Sequence, residues 1–302
     1  MVIDMNVHPL LYQAIYDEKT FADWERVFGM GLMGPMDYDE IFAEMRVGGI
    51  DKNVLLPLDL TTTEGLCLAT NEQCAQIVVD HPDRFINFAS VDPNRPDAAD
   101  VLEHAFRDLG ARGVSLHPAK QRFWATDPCM EPVFDLCEQY DRPIVFDAGL
   151  SWEPNAPTKY GHPLALEEAI MRHPKVRVCL SHFAWPWVRE MVMLMLKYPN
   201  CYTECSVLYL DSPEESIERL FTVDMGPRWF QRSLCHQVMF ASNTPRFRAF
   251  KIRRAIEHLG LPDYAHDALL GGNAVEFLGG VESSTAETGA VVTDSVVTSK
   301  EE

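Results

Sequence analysis

The feature that most constrains the fold is a repeated alternation of short apolar segments with longer amphipathic segments. Several of the amphipathic stretches open with Asp or Pro and close with Gly, His-Pro or Tyr-Pro, which are helix start and stop signals. Apolar runs without alternation are typical of strands in a parallel sheet that is covered on both faces. The predicted strands are 2–7, 53–58, 85–91, 113–116, 144–146, 176–180, 201–203 and 238–241.

Eight strand-then-helix units in a chain of 302 residues predict an α/β fold, a (β/α)8 TIM barrel. An open doubly wound sheet is the alternative, but its G-x-G-x-x-G turn is absent from the sequence. We expect one barrel domain over residues 1–280. A long insertion after the first strand, residues 10–36, has the length of a lid and contains Gly29, Gly31 and Gly34. Residues 281–302 are rich in Ser, Thr, Val and Glu and are predicted to be a disordered tail.

Composition excludes two classes of partner. The net charge of −19 argues against nucleic acid and against an anionic membrane surface, since both need a basic footprint. No apolar run is long enough for a membrane span. The eight cysteines form no C-x-x-C pair and no signal-peptide pattern is present, so we expect a cytoplasmic protein with reduced thiols.

Polar or ionisable residues end nearly every predicted strand. In a TIM barrel these ends meet at the C-terminal face, where such enzymes carry out their chemistry. The sequence therefore predicts a site for a small-molecule substrate at that face. The strand-end residues are His8, Asp59, Asp92, His117, Asp147, His182, Glu204 and Asn243.

Three of these residues form a candidate metal site. Two histidines and one carboxylate are a recognised divalent-metal set, and His8, His182 and Asp147 supply it. On the first strand, alternation predicts that Asp4, Asn6 and His8 point the same way, although Asn6 is an unusual ligand. Asp147 can equally be a general base or a loop cap.

The remaining candidates are assigned by their chemistry. His117 is a candidate general acid and Glu204 a candidate catalytic carboxylate, whereas Asn243 has no titratable proton and can only position a substrate or water. Basic groups that can bind a substrate carboxylate, and aromatic groups that can wall its pocket, complete the set. They are Lys120, Arg122, Trp152 and Trp185.

The pattern resembles the amidohydrolase superfamily, in particular the amidohydrolase-related group that includes aminocarboxymuconate-semialdehyde decarboxylase and the resorcylate-type decarboxylases. The resemblance spans about residues 2–279 and is carried by VIDMNVHP, FASVDP, GARGVSLHP, RPIVFDAG, VRVCLSHFAWP, VMFASNTPR and LLGGNAVEFLG. It implies a barrel with a zinc or manganese site and hydrolase or decarboxylase chemistry. Such barrels often pair, so a homodimer is an expected assembly.

The metal-binding positions depart from the family pattern. The family typically has His-x-His or acid-x-His on strand one, His on strands five and six, and Asp on strand eight. Here those positions hold Asn6 and His8, Asp147, His182 and Asn243. General acid–base catalysis contributes about 10²–10⁴-fold, so loss of the strand-eight acid requires a substitute. Asp147, Glu204 and His117 are the available groups.

Three functions remain open on the sequence alone. The first is an enzyme that hydrolyses or decarboxylates a small carboxylic or aromatic acid with a divalent metal on His8, His182 and Asp147. The second is a metal-free lactonase or hydratase with Asp147 as base, for which the family's pyrone-dicarboxylate lactonases are a precedent. The third is a barrel that has lost catalysis and binds a ligand or a protein partner.

Overall fold

A computed structural model describes residues 1–28, 34–206 and 212–281. Each predicted strand is present within them, most of them shorter than predicted. Gly29 and Gly31 of the expected lid and residues 282–302 of the expected tail lie outside the described ranges. The barrel strands are β1 (Ile3–Val7), β2 (Lys52–Leu55), β3 (Phe85–Asn87), β4 (Val114–Leu116), β5 (Ile144–Phe146), β6 (Val178–Leu180), β7 (Cys201–Glu204) and β8 (Val238–Met239).

All neighbouring barrel strands pair in parallel. β1, β2 and β3 form one three-stranded sheet, and β4 to β8 form a five-stranded sheet. Backbone bonds join the two sheets at both edges: Met5 donates to the Phe240 carbonyl at 3.1 Å, and Ser115 donates to the Ala89 carbonyl at 2.8 Å. Parallel bridges at Val7–Thr244 and Ala89–Val114 complete the ring, which confirms the predicted TIM barrel.

Helices cover the outside of the ring, and each predicted amphipathic segment is helical. Two begin with capping boxes, in which Asp37 pairs with Glu40 and Thr70 with Gln73, so the sequence itself fixes these helix starts. The longer helices are Glu18–Phe28, Tyr38–Gly48, Asn71–Asp80, Ala98–Arg107, Glu131–Gln139, Pro163–Arg172, Val188–Lys197, Pro213–Arg219 and Ala249–His258. Shorter α-helical segments are Thr61–Glu64, Pro118–Gln121, Pro227–Trp229, Asp263–Asp267 and Asn273–Phe277.

The barrel interior is filled by side chains, not by solvent. Ile3, Met5, Phe88 and Tyr202 belong to one buried cluster inside the ring, and Phe277 of the last helix packs into it. The Asn273 side chain fixes that helix by donating to the Val238 carbonyl at 2.6 Å. A second, larger apolar cluster lies between the strands and the surrounding helices. The interior of the ring is therefore a packed core, as is usual for this fold.

Several elements of the described residues were not predicted from the sequence, among them two longer helices and a hairpin. The insertion after β1 contains the helix Glu18–Phe28, and the connection between β7 and β8 contains Pro213–Arg219. Leu58–Leu60 and Leu66–Leu68 form an antiparallel hairpin after β2. Across the described parts of the chain, every helix is too short or too polar to cross a membrane.

Gly113 makes the junction between the two sheets sterically demanding. A Cβ atom at Gly113 would lie 2.4 Å from the Phe88 ring and 2.9 Å from the Pro143 carbonyl oxygen. We predict that Gly113→Ala lowers the free energy of unfolding by roughly 1–3 kcal/mol, because a packed core resists overpacking. Gly34→Ala is the matched control, since its Cβ meets nothing within 4 Å. Urea denaturation checks both, and equal stability of the two variants would contradict the prediction.

Candidate active site

A cavity of about 800 Å³, measured to its open mouth, lies at the carboxyl ends of the barrel strands. Eight of the residues predicted for the site line it, and they come from the ends of five strands of the ring. They are Asn6, His8, His117, Lys120, Asp147, Trp152, His182 and Asn243.

Three predicted residues do not line the cavity. Glu204 is buried behind it and contacts two of the lining residues. Arg122 turns away and donates to the Asn155 carbonyl at 3.2 Å. Trp185 is half-buried and packs against the apolar core. Arg122 and Trp185 are thus not brought to the cavity, because the chain turns sharply after β4 and after β6.

The prediction that Asp4 points the same way as Asn6 and His8 is wrong. Asn6 and His8 line the cavity, but Asp4 accepts hydrogen bonds from the Ser242 amide at 2.9 Å and hydroxyl at 2.5 Å. The pairing of β1 with β2 is irregular between Asp4 and Val7, and such an irregularity breaks strict alternation. Asp4 therefore ties β1 to the end of β8. Its burial raises its pKa to about 7, against the opposing effect of the Ser242 bonds.

Two other strand-end acids, Asp59 and Asp92, also serve the structure. The Asp59 carboxylate accepts from Arg95 at 2.9 Å, and that of Asp92 accepts from the Thr62 amide at 2.8 Å. Neither lines the cavity. Their partners, Arg95 in a loop and Thr62 in the helix Thr61–Glu64, lie outside the barrel strands, so strand-end position alone could not separate these acids from site residues.

Asp147 lies between two imidazoles. It follows β5, and its amide donates to the Leu116 carbonyl of β4 at 2.8 Å. One carboxylate oxygen is 3.3 Å from His117 Nε2, and the other is 3.4 Å from His182 Nε2. The Asp147 carboxylate therefore has an imidazole ring on each side.

His182 is held in an unusual backbone conformation. Its φ of 58° is left-handed, a region that costs most residues energy but is enriched in His, Asn and Asp. Its amide donates to Glu204 Oε1 at 3.1 Å, and its Nδ1 is 2.5 Å from Ser206 Oγ. The Ser206 hydroxyl donates in turn to Glu204 Oε1 at 2.8 Å. A connected path runs from Asp147 through His182 and Ser206 to Glu204.

Hydrogen bonds fix the tautomers of the His117 and His8 rings and the orientation of the Asn6 side-chain amide. His117 Nδ1 accepts from the Lys120 amide at 3.4 Å, so the hydrogen of a neutral ring is on Nε2, which faces Asp147. His8 Nδ1 is 3.3 Å from the Leu56 carbonyl, which only accepts, so a neutral ring carries its lone pair on Nε2. Asn6 donates through Nδ2 to Glu204 Oε1 at 3.0 Å.

The protonation of these groups follows from burial and from neighbouring charge. Burial lowers the pKa of His8 and of His117 to about 4, with Asp147 only partly opposing it. For Asp147, burial is outweighed by His117, His182 and Lys120, so its pKa lies below the usual range. For His182, burial is outweighed by Glu204 and Asp147, and its pKa is raised. The cavity thus combines two neutral imidazoles with a carboxylate that stays ionised.

Two cationic groups enter the cavity. The buried Lys120 ammonium is 2.8 Å from Glu153 Oε1, and burial lowers its pKa against the opposing effect of Glu153. The Arg246 guanidinium lies 5.5 Å from the centre of the Trp152 ring. Arg246, Glu153 and Ser206 were missed by sequence reasoning. Each is within three residues of a predicted residue, so their proximity to Asn243, Trp152 and Glu204 was the available signal.

Asn6 and Asn243 stand where the resemblance drawn from the sequence predicts metal ligands. Asn6 Oδ1 is buried and has no hydrogen-bond partner among the described residues. Asn243 is left-handed, with φ 63°, and its amide donates to the Asn6 carbonyl at 3.0 Å. Within the described ranges, no three His, Cys, Asp or Glu side chains are grouped so as to hold a metal ion.

Comparison with known proteins gives the family and the fold. The family model described as amidohydrolase matches residues 3–280. An uncharacterized TIM-barrel protein from Bordetella bronchiseptica is 20% identical, with a TM-score of 0.71 over 92% of this chain and 98% of that chain. A 5-carboxyvanillate decarboxylase from Sphingomonas paucimobilis is 16% identical, with a TM-score of 0.64 over 93% and 99%. No curated protein matches the sequence.

A third structure carries ligands. The 5-carboxyvanillate decarboxylase from Novosphingobium aromaticivorans, complexed with manganese and 4-hydroxy-3-methoxy-5-nitrobenzoic acid, is 16% identical, with a TM-score of 0.65 over 92% of this chain and 96% of that chain. At these identities the likeness concerns the fold. Together with the family match, it confirms the resemblance drawn from the sequence and the prediction of an enzyme of the hydrolase or lyase kind.

The lowered pKa of His117 makes stability depend on pH. Below about pH 6.5 the unfolded chain takes up a proton that the folded chain refuses until about pH 4, so stability falls as the pH falls through that window. We predict that His117→Gln removes this contribution, roughly 3 kcal/mol over the whole window. Urea denaturation from pH 7 to pH 4 measures it. The exposed His236→Gln is the control, and parallel curves for wild type and His117→Gln would disprove the assignment.

Proposed function

The chain belongs to the amidohydrolase family, and from this premise we propose that it hydrolyses or decarboxylates a small organic acid at the C-terminal mouth of its barrel. The observation that carries the proposal is the position of Asp147, between the Nε2 atoms of His117 and His182 in a cavity that also holds Lys120 and Arg246. Cationic groups attract an acid, and the imidazoles next to Asp147 supply proton-transfer groups.

The substrate's acidic group is expected at the cations. Lys120 and Arg246 line the same cavity as Asp147, and arginine matches the planar geometry of a carboxylate. Trp152 offers an aromatic surface at the mouth, with 57% of its area exposed. These groups favour a compact acid with an unsaturated or aromatic body.

Proton transfer is assigned from the hydrogen-bond partners. A protonated His182 ring has an oxygen next to each of its N–H groups. Ser206 Oγ is 2.5 Å from Nδ1, and Asp147 Oδ2 is 3.4 Å from Nε2. We assign His182 as the proton donor to the substrate. His8, whose Nε2 carries the lone pair in the neutral ring, is assigned as the acceptor, and His117 as the group that orients Asp147.

A divalent cation fits this site only if amide oxygens take part. The unpartnered Asn6 Oδ1, the His8 ring and the Asp147 carboxylate are the groups that would hold it. This set is richer in oxygen than the family pattern, and carboxylate and carbonyl oxygens suit manganese better than zinc. Once bound, such a cation polarises a carboxylate or carbonyl oxygen of the substrate. With a cation bound, the His8 ring would be a ligand instead of the proton acceptor, and His182 would be left for proton transfer.

A metal-independent reaction is the second candidate. It is favoured by the absence of a three-residue group of His, Cys, Asp or Glu among the described side chains. In that case Asp147 acts as the base towards water on a lactone or an unsaturated acid. The third alternative, a barrel that only binds a ligand or a protein partner, predicts no turnover by the wild-type protein.

Replacement of Asp147 tests catalysis directly. We expect Asp147→Asn to lower turnover by about 10²–10⁴-fold, the usual contribution of a proton-transfer group, while circular dichroism shows a folded barrel. The substrates are a panel of hydroxybenzoic acids, assayed for CO₂ release, and of small lactones, assayed for acid release. Asp135→Asn, on an exposed position of its helix, is the control. Turnover equal to wild type in Asp147→Asn would refute the assignment.

Metal preference tests the oxygen-rich site. We expect wild-type protein to bind manganese, and Asn6→Ala to weaken that binding at least about tenfold, since one ligand is lost. The double variant Asn6→His, Asn243→Asp restores the family ligands and should gain zinc binding. Titration followed by manganese paramagnetic resonance and by elemental analysis measures both, with the exposed Asn155→His as control. Unchanged metal content in both variants argues for the metal-independent reaction.

A further inference from the structure

A second cavity lies outside the ring of strands, next to the first. Its volume is about 510 Å³, measured to its open mouth, and it is enclosed by β1, β2 and the helices Tyr38–Gly48 and Ala249–His258. His8 and Pro245 line both cavities and therefore form the wall between them. Asp147 lines the first cavity and not the second, so the second cavity is separate from the proposed site of catalysis.

The wall of the second cavity is mostly apolar. Its apolar side chains come from the turn after β1 and from the two helices that cover β1 and β2. Among them are Leu11, Ile41, Met45, Ile50 and Phe250. Such a surface favours a ligand with an apolar body, because burial of apolar area is the main favourable contribution to its binding.

The charges of the second cavity disfavour an ionised ligand. Its two carboxylates already have partners: Asp4 accepts from the Ser242 amide at 2.9 Å and hydroxyl at 2.5 Å, and Glu44 accepts from Arg248 at 2.6 Å. Among the described residues that line this cavity, none is a lysine or an arginine. An anion would thus meet carboxylates without a cation, and a cation would compete with the partners that these carboxylates have. The cavity therefore suits an uncharged molecule.

The Tyr12 side chain supplies a polar group at this apolar wall. Tyr12 lines the cavity, and its buried hydroxyl has no hydrogen bond of normal geometry within the described part of the chain. Burial raises the pKa of this phenol, with the neighbouring Asn53 side chain acting in the opposite direction, so the hydroxyl keeps its proton. The Tyr12 ring lies 5.7 Å from the Phe85 ring, and its amide donates to the Pro9 carbonyl at 2.9 Å. The donor is therefore held in place before a ligand binds.

We propose that the second cavity is a ligand site that binds a small uncharged phenol, with the ring among the apolar side chains and the hydroxyl at Tyr12. A phenol oxygen can accept from Tyr12 and donate to the side-chain oxygen of Asn53, which lines the same cavity. This inference goes beyond the proposed function, since it needs neither Asp147 nor a metal ion. An occupant lies against His8 and is thereby next to a residue that also lines the first cavity.

Fluorine NMR titration with 4-fluorophenol and fluorobenzene, which differ by one hydroxyl group, tests the role of Tyr12. We expect wild-type protein to bind 4-fluorophenol about three- to tenfold more tightly than fluorobenzene, the effect of one hydrogen bond. Tyr12→Phe should remove this preference. Tyr38→Phe is the matched control and should keep it, because the Tyr38 hydroxyl is also buried without a partner among the described residues, but Tyr38 does not line the cavity.

A larger side chain in the cavity tests where the phenol binds. Ala249 lines the second cavity and not the first, so Ala249→Leu should weaken both probes at least about tenfold by occupying their space. Asp147→Asn, in the first cavity, should leave both affinities unchanged. Weaker binding in Asp147→Asn with wild-type binding in Ala249→Leu would place the phenol in the first cavity and overturn the proposal.

The preference for the phenol gives a second way to refute the site. Equal affinity of wild-type protein for the two probes, or a preference that survives in Tyr12→Phe, overturns the proposal even where Ala249→Leu does not fold. Binding is measured without turnover, so an inactive protein that binds 4-fluorophenol at Tyr12 would contradict the proposed function and leave the second site standing.

Discussion

The Glu204 carboxylate is the interaction on which the mouth of the barrel depends. It is buried, and it accepts from the Asn6 side chain on β1, from the His182 amide after β6 and from Ser206 on its own loop. Hydrogen bonds to a charged group contribute about 1.5–3 kcal/mol each, and a buried carboxylate without them is far more costly. Three segments of the ring are thereby held in one geometry around a single charge.

The hydrogen bond from the His182 amide to Glu204 stabilises the left-handed backbone conformation of His182. A non-glycine residue in that region costs about 1–2 kcal/mol, and here it places the imidazole between Asp147 and Ser206. The bond from the His182 amide to Glu204 offsets that cost. Strain at a residue of the cavity is thus balanced by a buried carboxylate that does not reach the cavity itself.

The strands and most helices were predictable because their signals are local. Apolar runs, capping boxes and Gly or Pro boundaries depend on neighbouring residues only, and parallel strand ends converge by geometry. The irregularity that turns Asp4 away from Asn6 depends on pairing with β2, which no local pattern records. Arg246 and Glu153 escaped for a related reason: their positions follow from loops that cross the mouth, and loop paths are set by tertiary contacts.

The asparagine at position 6 is explained by its partner. A carboxylate only accepts hydrogen bonds, so Glu204 requires the NH₂ group of Asn6 on its side. The amide oxygen is then forced to the other side, where it is buried and has no hydrogen-bond partner in the described part of the chain. A histidine at this position offers a ring nitrogen where Asn6 offers an oxygen. With Asn6 in place of a histidine, β1 presents an amide oxygen instead of a ring nitrogen, while the contact with Glu204 keeps β1 in place. Together with the Asp147 carboxylate, this oxygen is the basis of the manganese preference proposed above.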